Sequence, residues 1–268
     1  MREGDGKTAL VTGASSGIGK AFAELLAAKG YALVVTARRR DRLDELAGQL
    51  ATKHRVATHV IVADLADAEA SARIADAVLA LGLRIDVLVN NAGYGVPGSY
   101  VTVPWADHQR FIQIMMTAVC DLTYRLLPPM LELGWGRVIN IASVAGMVPA
   151  PAGHTLYGAS KAFVIRFSEA LAAENGPRGV NVTAVCPGFT YSEFHDVTGT
   201  RDKMNSVPAI LWLNANDVAR EGYDAVMRGD SVVVNGRAYR FLIWLVGVVP
   251  AGLVKAVSRA AGRRYRKT

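Results

Sequence analysis

Tyr157 and Lys161 bound the run Tyr-Gly-Ala-Ser-Lys, and Ser143 precedes them at a short distance. A tyrosine and a lysine four residues apart share one face of a helix. An ammonium held beside a phenol favours the phenolate. At ~5 Å and an effective dielectric of ~20 the Coulomb attraction is ~3 kcal/mol, or ~2 pKa units. Lowered from ~10 toward neutrality, such a tyrosine can trade protons with a carbonyl or alcohol oxygen. Ser143 offers a hydroxyl to hold that same oxygen. The spacing also occurs on solvated helix faces that do no chemistry, so its weight depends on the rest of the chain.

The next informative run is Thr12-Gly-Ala-Ser-Ser-Gly-Ile-Gly19. It follows an apolar stretch, Ala9–Thr12, and opens a helical pattern near Ser16–Lys29. Gly13, Gly17 and Gly19 allow a tight turn and close backbone approach, with Ser15, Ser16 and Ile18 between them; the start of the helix favours a pyrophosphate. The alternative is a glycine-rich turn that binds nothing. A second apolar run, Ala32–Ala37, ends in Arg38-Arg39-Arg40 with no acid before Asp41. A carboxylate there would accept from a free ribose 2′-hydroxyl, whereas an arginine matches a 2′-phosphate through its forked donors. NADP(H) is therefore favoured over NAD(H), with Arg38 as the phosphate partner. At least one of Arg39 and Arg40 is expected only to solubilise the start of a helix.

Elements that could position these groups alternate along the chain. Further apolar runs at Val56–Val62, Val87–Asn90, Arg137–Ala142, Val180–Val185 and Val232–Val234 read as strands. Helical patterns fall near Asp41–Thr52, Asp67–Leu81, Trp105–Leu133 and Tyr157–Asn175, the last stopped by Gly176-Pro177. Strands separated by helices imply parallel pairing through right-handed crossovers. The expectation is one α/β domain: a Rossmann-type, doubly wound parallel sheet of about seven strands with helices on both faces. That domain would occupy residues 1–240, with a substrate lid near 189–208 and an extension, apolar and then basic, over 241–268.

Together, Thr12-Gly-xxx-Gly-x-Gly19, Asp64-Leu65, Asn90-Asn-Ala-Gly93, Ser143, Tyr157-xxx-Lys161 and Pro187-Gly188 resemble the short-chain dehydrogenase/reductase family. The similarity runs from residue 7 to about 235 with every motif in order. It implies an oxidoreductase in which Gly13 to Gly19 line the cofactor phosphates. Asp64 would hydrogen-bond the adenine and Leu65 pack near it. Asn91, Ala92 and Gly93 would stabilise the central sheet and border a cofactor ribose. Tyr157 would be the acid in reduction and the base in oxidation, and Ser143 would position the substrate oxygen. Lys161 would lower the Tyr157 pKa and bind the nicotinamide ribose. Pro187, Gly188 and Thr190 would meet the nicotinamide end, and Tyr191–Pro208 would form the lid. One residue departs from the pattern. Such enzymes commonly carry an asparagine on the long helix after Asn-Ala-Gly, and its carbonyl holds a water linking the lysine to solvent; here Met115 takes that place. Either the Met115 backbone carbonyl serves the same relay, or turnover is impaired and the chain is a dinucleotide-binding regulator or scaffold.

The chain has 268 residues, 51% hydrophobic and 20% charged, enough for a substantial core. Five singly scattered histidines show no metal-ligand spacing, and no metal is expected. Cys120 and Cys186 lie in apolar stretches and read as buried thiols of a reducing compartment. The start, Met1 to Gly6, lacks the apolar core of a secretion signal, so a cytoplasmic location is expected. The net charge of +7 is concentrated in Arg38–Arg40 and in Arg259, Arg263, Arg264, Arg266 and Lys267, without the aromatic interleaving of a nucleic-acid binder. Tyr94, Val96, Val144, Met147, Val148, Pro149, Pro151 and Phe189 would form a pocket for a neutral, hydrophobic carbonyl compound or alcohol. His154, Glu193 and His195 are more simply solvated loop residues. The uncharged run Phe241–Val254 is too short to span a bilayer and contains Pro250. Packing over the substrate opening or across a subunit interface is favoured; alternatively it lies on a membrane surface beside the basic tail. The resemblance also implies a homodimer or homotetramer built on the two long helices.

Overall fold

A computed structural model describes residues 2–96, 98–150, 155–191 and 208–249. Seven strands form one sheet: β1 Thr8–Thr12, β2 Ala32–Ala37, β3 Thr58–Val62, β4 Val87–Asn90, β5 Gly136–Ile141, β6 Val180–Cys186 and β7 Val232–Val234. Their order is β3-β2-β1-β4-β5-β6-β7, and every pair is parallel. Strands β1, β4 and β5 are buried along their whole length, which is why they read as largely apolar runs, with Arg137 and Asn140 of β5 as buried polar exceptions. The direction in which successive strands are added to the sheet reverses between β1 and β4, and a doubly wound sheet opens a crevice at such a point.

Helices cover both faces: α1 Gly17–Ala28, α2 Arg40–His54, α3 Ala70–Ala80, α4 Trp105–Ile112, α5 Ala118–Leu133, α6 Thr155–Asn175, α7 Ala215–Arg228 and α8 Arg237–Val248. Phe22, Leu26, Leu43, Val218 and Tyr223 pack on one side against β1 and β2. Ile74, Phe111, Leu122, Met130 and Val138 form the core of the other side.

Three departures from the sequence-based expectation have a local physical cause. Strand β3 begins at Thr58 rather than Val56, because Arg55 ends α2 in the left-handed region (φ 56°) with its N–H on the Ala51 carbonyl. Helix α3 begins at Ala70 rather than Asp67. The Asp64 and Asp67 carboxylates accept from the N–H groups of Ala66 and Glu69 and hold a turn there. The single helix expected over Trp105–Leu133 is interrupted by a π-helical segment, Gln113–Thr117, between α4 and α5. Met115 lies inside that segment and is buried.

Candidate active site

Ser143 follows the end of β5 in extended conformation (φ −171°, ψ 154°) and opens a short 3-10 turn, Val144–Gly146. Its Oγ accepts from the Ala145 N–H at 3.1 Å and donates to the Pro187 carbonyl at 3.3 Å. The Ser143 hydroxyl is also hydrogen-bonded to the Tyr157 phenol, so strand end and helix meet at two oxygens. The turn lies directly on α6. A methyl added at Gly146 would stand 2.6 Å from the Ala162 nitrogen and the Lys161 carbonyl carbon.

Lys161 is buried one turn along α6, with Nζ 5.9 Å from the centre of the Tyr157 ring. Nζ donates to the Ile141 carbonyl at 2.6 Å. Burial pulls its pKa down to about 8, against the nearby Cys186 thiol, which raises it. Burial likewise pushes the Tyr157 phenol above its ordinary value, and the hydrogen bond to Ser143 partly offsets this. The sequence-based expectation of a phenol acidified by Lys161 is therefore corrected for the protein alone. The enclosure that would strengthen an ammonium–phenolate attraction also strips water from the phenolate, and the lysine is turned onto a carbonyl.

A polar chain fixes the strands beneath these groups. Asn90 Nδ2 donates to Thr123 Oγ1 and Asn140 Oδ1, and Asn140 Nδ2 donates to Ser168 Oγ. This chain joins β4 and β5 to α5 and α6, and it escaped the sequence analysis because its members are far apart in the chain.

The glycine-rich turn sits at the β1–β4 crevice. Gly13 and Gly17 have positive φ (65° and 56°), conformations that disfavour other residues. A methyl at Gly13 would come within 2.8 Å of Asn91 Nδ2. Asn91 Nδ2 donates to the carbonyls of Thr12 and Gly13, and the N–H groups of Asn91 and Ala92 converge on Thr12 Oγ1. Helix α1 starts with no capping side chain from Ser16 and no acid in its first turn, and Gly19 and Ile18 lie in that turn. Those features leave room and backbone donors for an anionic diphosphate.

Arg38 is exposed at the end of β2. Arg39 is the arginine that reaches the turn: its guanidinium donates to Ser15 Oγ at 2.9 Å and Ser16 Oγ at 3.1 Å. Arg40 is exposed and pairs loosely with Asp44. Asp64 is exposed after β3, and Leu65 beside it is buried. Gly93 faces the sulfur of Met115, which would lie 2.9 Å from any added methyl.

After β6, Pro187 receives the Ser143 bond, and Thr190 Oγ1 donates to the Gly188 carbonyl. The ring of Tyr239, from α8, lies on Gly188 and leaves no room for a side chain there. Tyr239 Oη accepts from the Phe189 N–H and donates to the Leu211 carbonyl. Neither Tyr239 nor Trp212, which stacks on Tyr191 at 4.7 Å, was singled out from the sequence. Pro151, His154, Glu193, His195 and most of the expected lid lie outside the described residues. Cys186 is buried and its thiol is pushed up to about 12; Cys120 is half-buried. Among the described residues no group of His, Cys, Asp and Glu could hold a metal ion.

The family model for short chain dehydrogenase matches residues 7–203. The chain belongs to the short-chain dehydrogenase/reductase family. This family member is 41% identical over 201 residues to a very-long-chain 3-oxoacyl-CoA reductase of Anas platyrhynchos, covering 73% of the chain and 63% of that relative. It thus spans about three-fifths of the length of the first curated relatives it matches. Among solved structures it resembles a short-chain dehydrogenase from Sphingobium yanoikuyae in complex with NADPH (TM-score 0.80, 32% identity, 91% of this chain and 96% of that one). It also resembles the bulky-bulky ketone specific alcohol dehydrogenase from Comamonas testosteroni (TM-score 0.74, 31% identity, 91% and 95%).

Proposed function

We propose that this short-chain dehydrogenase/reductase is an NADP(H)-dependent oxidoreductase acting on the carbonyl or secondary alcohol carbon of a neutral, hydrophobic small molecule. The observation that carries this is the Ser143–Tyr157 hydrogen bond above a buried Lys161. A substrate oxygen placed between the two hydroxyls would be held by Ser143 and protonated by Tyr157. The raised phenol pKa keeps that proton on the oxygen at neutral pH, which suits the general acid of a reduction. Lys161, with a pKa near 8, can both lose and regain a proton close to physiological pH and so restore Tyr157. Nicotinamide bound between the glycine turn and Pro187-Gly188 would supply or accept the hydride.

Arg39 and Ser15 would take the 2′-phosphate, with Arg38 at its exposed side; NADPH in the Sphingobium complex supports that choice. Gly13, Ser15, Ser16, Gly17, Ile18 and Gly19 would hold the diphosphate, and Asp64, Leu65, Asn91, Ala92 and Gly93 the adenosine and ribose side. Apolar walls from Tyr94, Val96, Val144, Met147 and Phe189, extended by Trp212, favour an uncharged substrate. The names of the two relatives, a long-chain oxoacyl reductase and a bulky-ketone dehydrogenase, agree with a large apolar carbonyl compound. Exposed Trp105 and Tyr124 on α4 and α5 support association of copies through that face. The scaffold alternative rested on Met115, and the π-helical distortion forms with methionine present.

The test is turnover of a panel of apolar ketones with NADPH and with NADH, for the wild type and Tyr157→Phe. Loss of turnover with NADPH affinity retained is expected for the variant. Near wild-type turnover in Tyr157→Phe would remove the assigned acid.

A further inference from the structure

Helix α8 is held to the body by few groups. Tyr239 is its one buried residue, and Arg240 pairs with Glu221 at 3.4 Å. From Phe241 to Val248 the helix carries no charge, yet most of its side chains face solvent. Phe241 and Trp244 are each 60% exposed and stack on one another with ring centres 5.9 Å apart; Leu242, Leu245 and Val248 are exposed beside them. This is a contiguous apolar and aromatic surface, not a scatter of single residues.

From the start of α8 onward the sequence carries charge of one sign. Residues 237–268 contain Arg237, Arg240, Lys255, Arg259, Arg263, Arg264, Arg266 and Lys267 and no aspartate or glutamate. An apolar helical face with tryptophan and phenylalanine, next to a purely basic segment, matches the interface of an anionic bilayer. No helix among the described residues is long and apolar enough to cross a membrane, so the fitting geometry is a helix lying in the surface. A second copy is a poorer occupant, because a two-fold contact through α8 would bring together two chains whose residues 237–268 carry eight basic residues and no acid. We propose that α8 docks this protein onto anionic lipid, with the aromatic face inserted and the basic segment over the headgroups. The docked helix is rooted at the Gly188–Phe189 loop through Tyr239, so the surface it binds adjoins the site without depending on the proposed reaction.

The test uses the full chain with phosphatidylcholine vesicles, alone or with about one-third phosphatidylserine. Binding to anionic vesicles roughly tenfold or more above neutral ones, weakening with salt, is expected. Tryptophan emission should shift to the blue on binding, and that shift should vanish in Trp244→Phe. Phe241→Glu with Trp244→Glu should lower binding at least about tenfold, since each charge enters the interface, while the melting temperature and the mass in solution stay unchanged. Arg263→Glu with Arg264→Glu provides a second loss that leaves α8 intact. Absent binding, or equal binding to both vesicle types, overturns the proposal. So does a drop in oligomeric mass in the glutamate variant, which would assign the face to a second copy. Shielding of Trp244 from acrylamide without vesicles would assign the face to residues 250–268 and overturn it too.

Discussion

Met115→Asn restores the side chain that the family commonly carries, and the structure predicts that restoration to be costly. Met115 is 2% exposed and packs in the apolar cluster with Phe111, Ile114, Ala118 and Leu122. Its sulfur lies where a Gly93 methyl would collide, so it fills the space between the π segment and the Asn-Ala-Gly loop. Removing a fully buried methionine forfeits about 1.5–3 kcal/mol of apolar burial. Placing an amide in that apolar cluster adds about 1–3 kcal/mol for polar groups left unpaired. Some of this is recovered if the amide finds a free carbonyl in the π segment, so a loss of about 2–4 kcal/mol is expected. For a chain of this size that corresponds to a fall in Tm of roughly 5–15 °C. The gain in kcat should stay below about threefold, or ~0.7 kcal/mol, because the distortion that shapes the relay is already present with methionine. Denaturant titration and steady-state kinetics on wild type, Met115→Asn and Met115→Leu settle the matter; the leucine control should lose less than ~1.5 kcal/mol. An asparagine variant at least as stable as wild type with kcat up tenfold or more would refute the packing argument. It would also show that the methionine cripples the relay.

Arg39→Ala removes the guanidinium from Ser15 and Ser16, and KM for NADPH should rise roughly tenfold or more while KM for NADH stays unchanged. Arg38→Ala serves as comparison, and a larger effect there would restore the sequence-based assignment. Gly146→Ala drives a methyl into α6 backbone and should shift Ser143 from Tyr157, lowering kcat about 10–100-fold while the NADPH dissociation constant changes little. An unchanged kcat would show that the turn can give without disturbing the site. Burial lowers the Lys161 pKa to about 8 from an ordinary 10.5, so between those values the unfolded chain binds more protons than the folded one. Stability of wild type relative to Lys161→Met should therefore rise with pH from about 8 to 10.5, by at most ~1.4 kcal/mol per pH unit. Urea unfolding at pH 7, 8, 9 and 10 measures this, and a flat or falling difference would contradict a buried, depressed lysine.

The sheet was legible because strands buried on both faces are written as apolar runs, and each was separated by a helical period. The motif residues were legible because their spacing places them at strand ends around one crevice. What escaped the sequence depends on which way a side chain turns or on partners far along the chain. Arg38 and Arg39 are equivalent as letters, but only Arg39 reaches the serines of the glycine turn. Tyr239 meets Gly188 about fifty residues away, and no local pattern announces that contact. The π segment has no propensity signature; it forms with Met115 buried inside it and its sulfur against Gly93.

The largest difference concerns sign. A tyrosine and lysine on one helical turn suggest an acidified phenol when only their separation is considered. The structure buries Lys161 and half-buries Tyr157, and desolvation moves each toward its neutral form, the phenol upward and the ammonium downward. Binding of the oxidised cofactor, whose nicotinamide ring is positive, would favour the phenolate of Tyr157, whereas the reduced ring carries no charge. In the proposed reaction Tyr157 would therefore start as the acid, and its conversion to a base would depend on the oxidation state of the bound cofactor. Titrating the phenolate absorbance near 295 nm, with the Tyr157→Phe spectrum subtracted, measures this. The apparent pKa should be higher in the free protein and with reduced cofactor than with oxidised cofactor; equal values in all three states would show that burial, rather than cofactor charge, governs the phenol throughout.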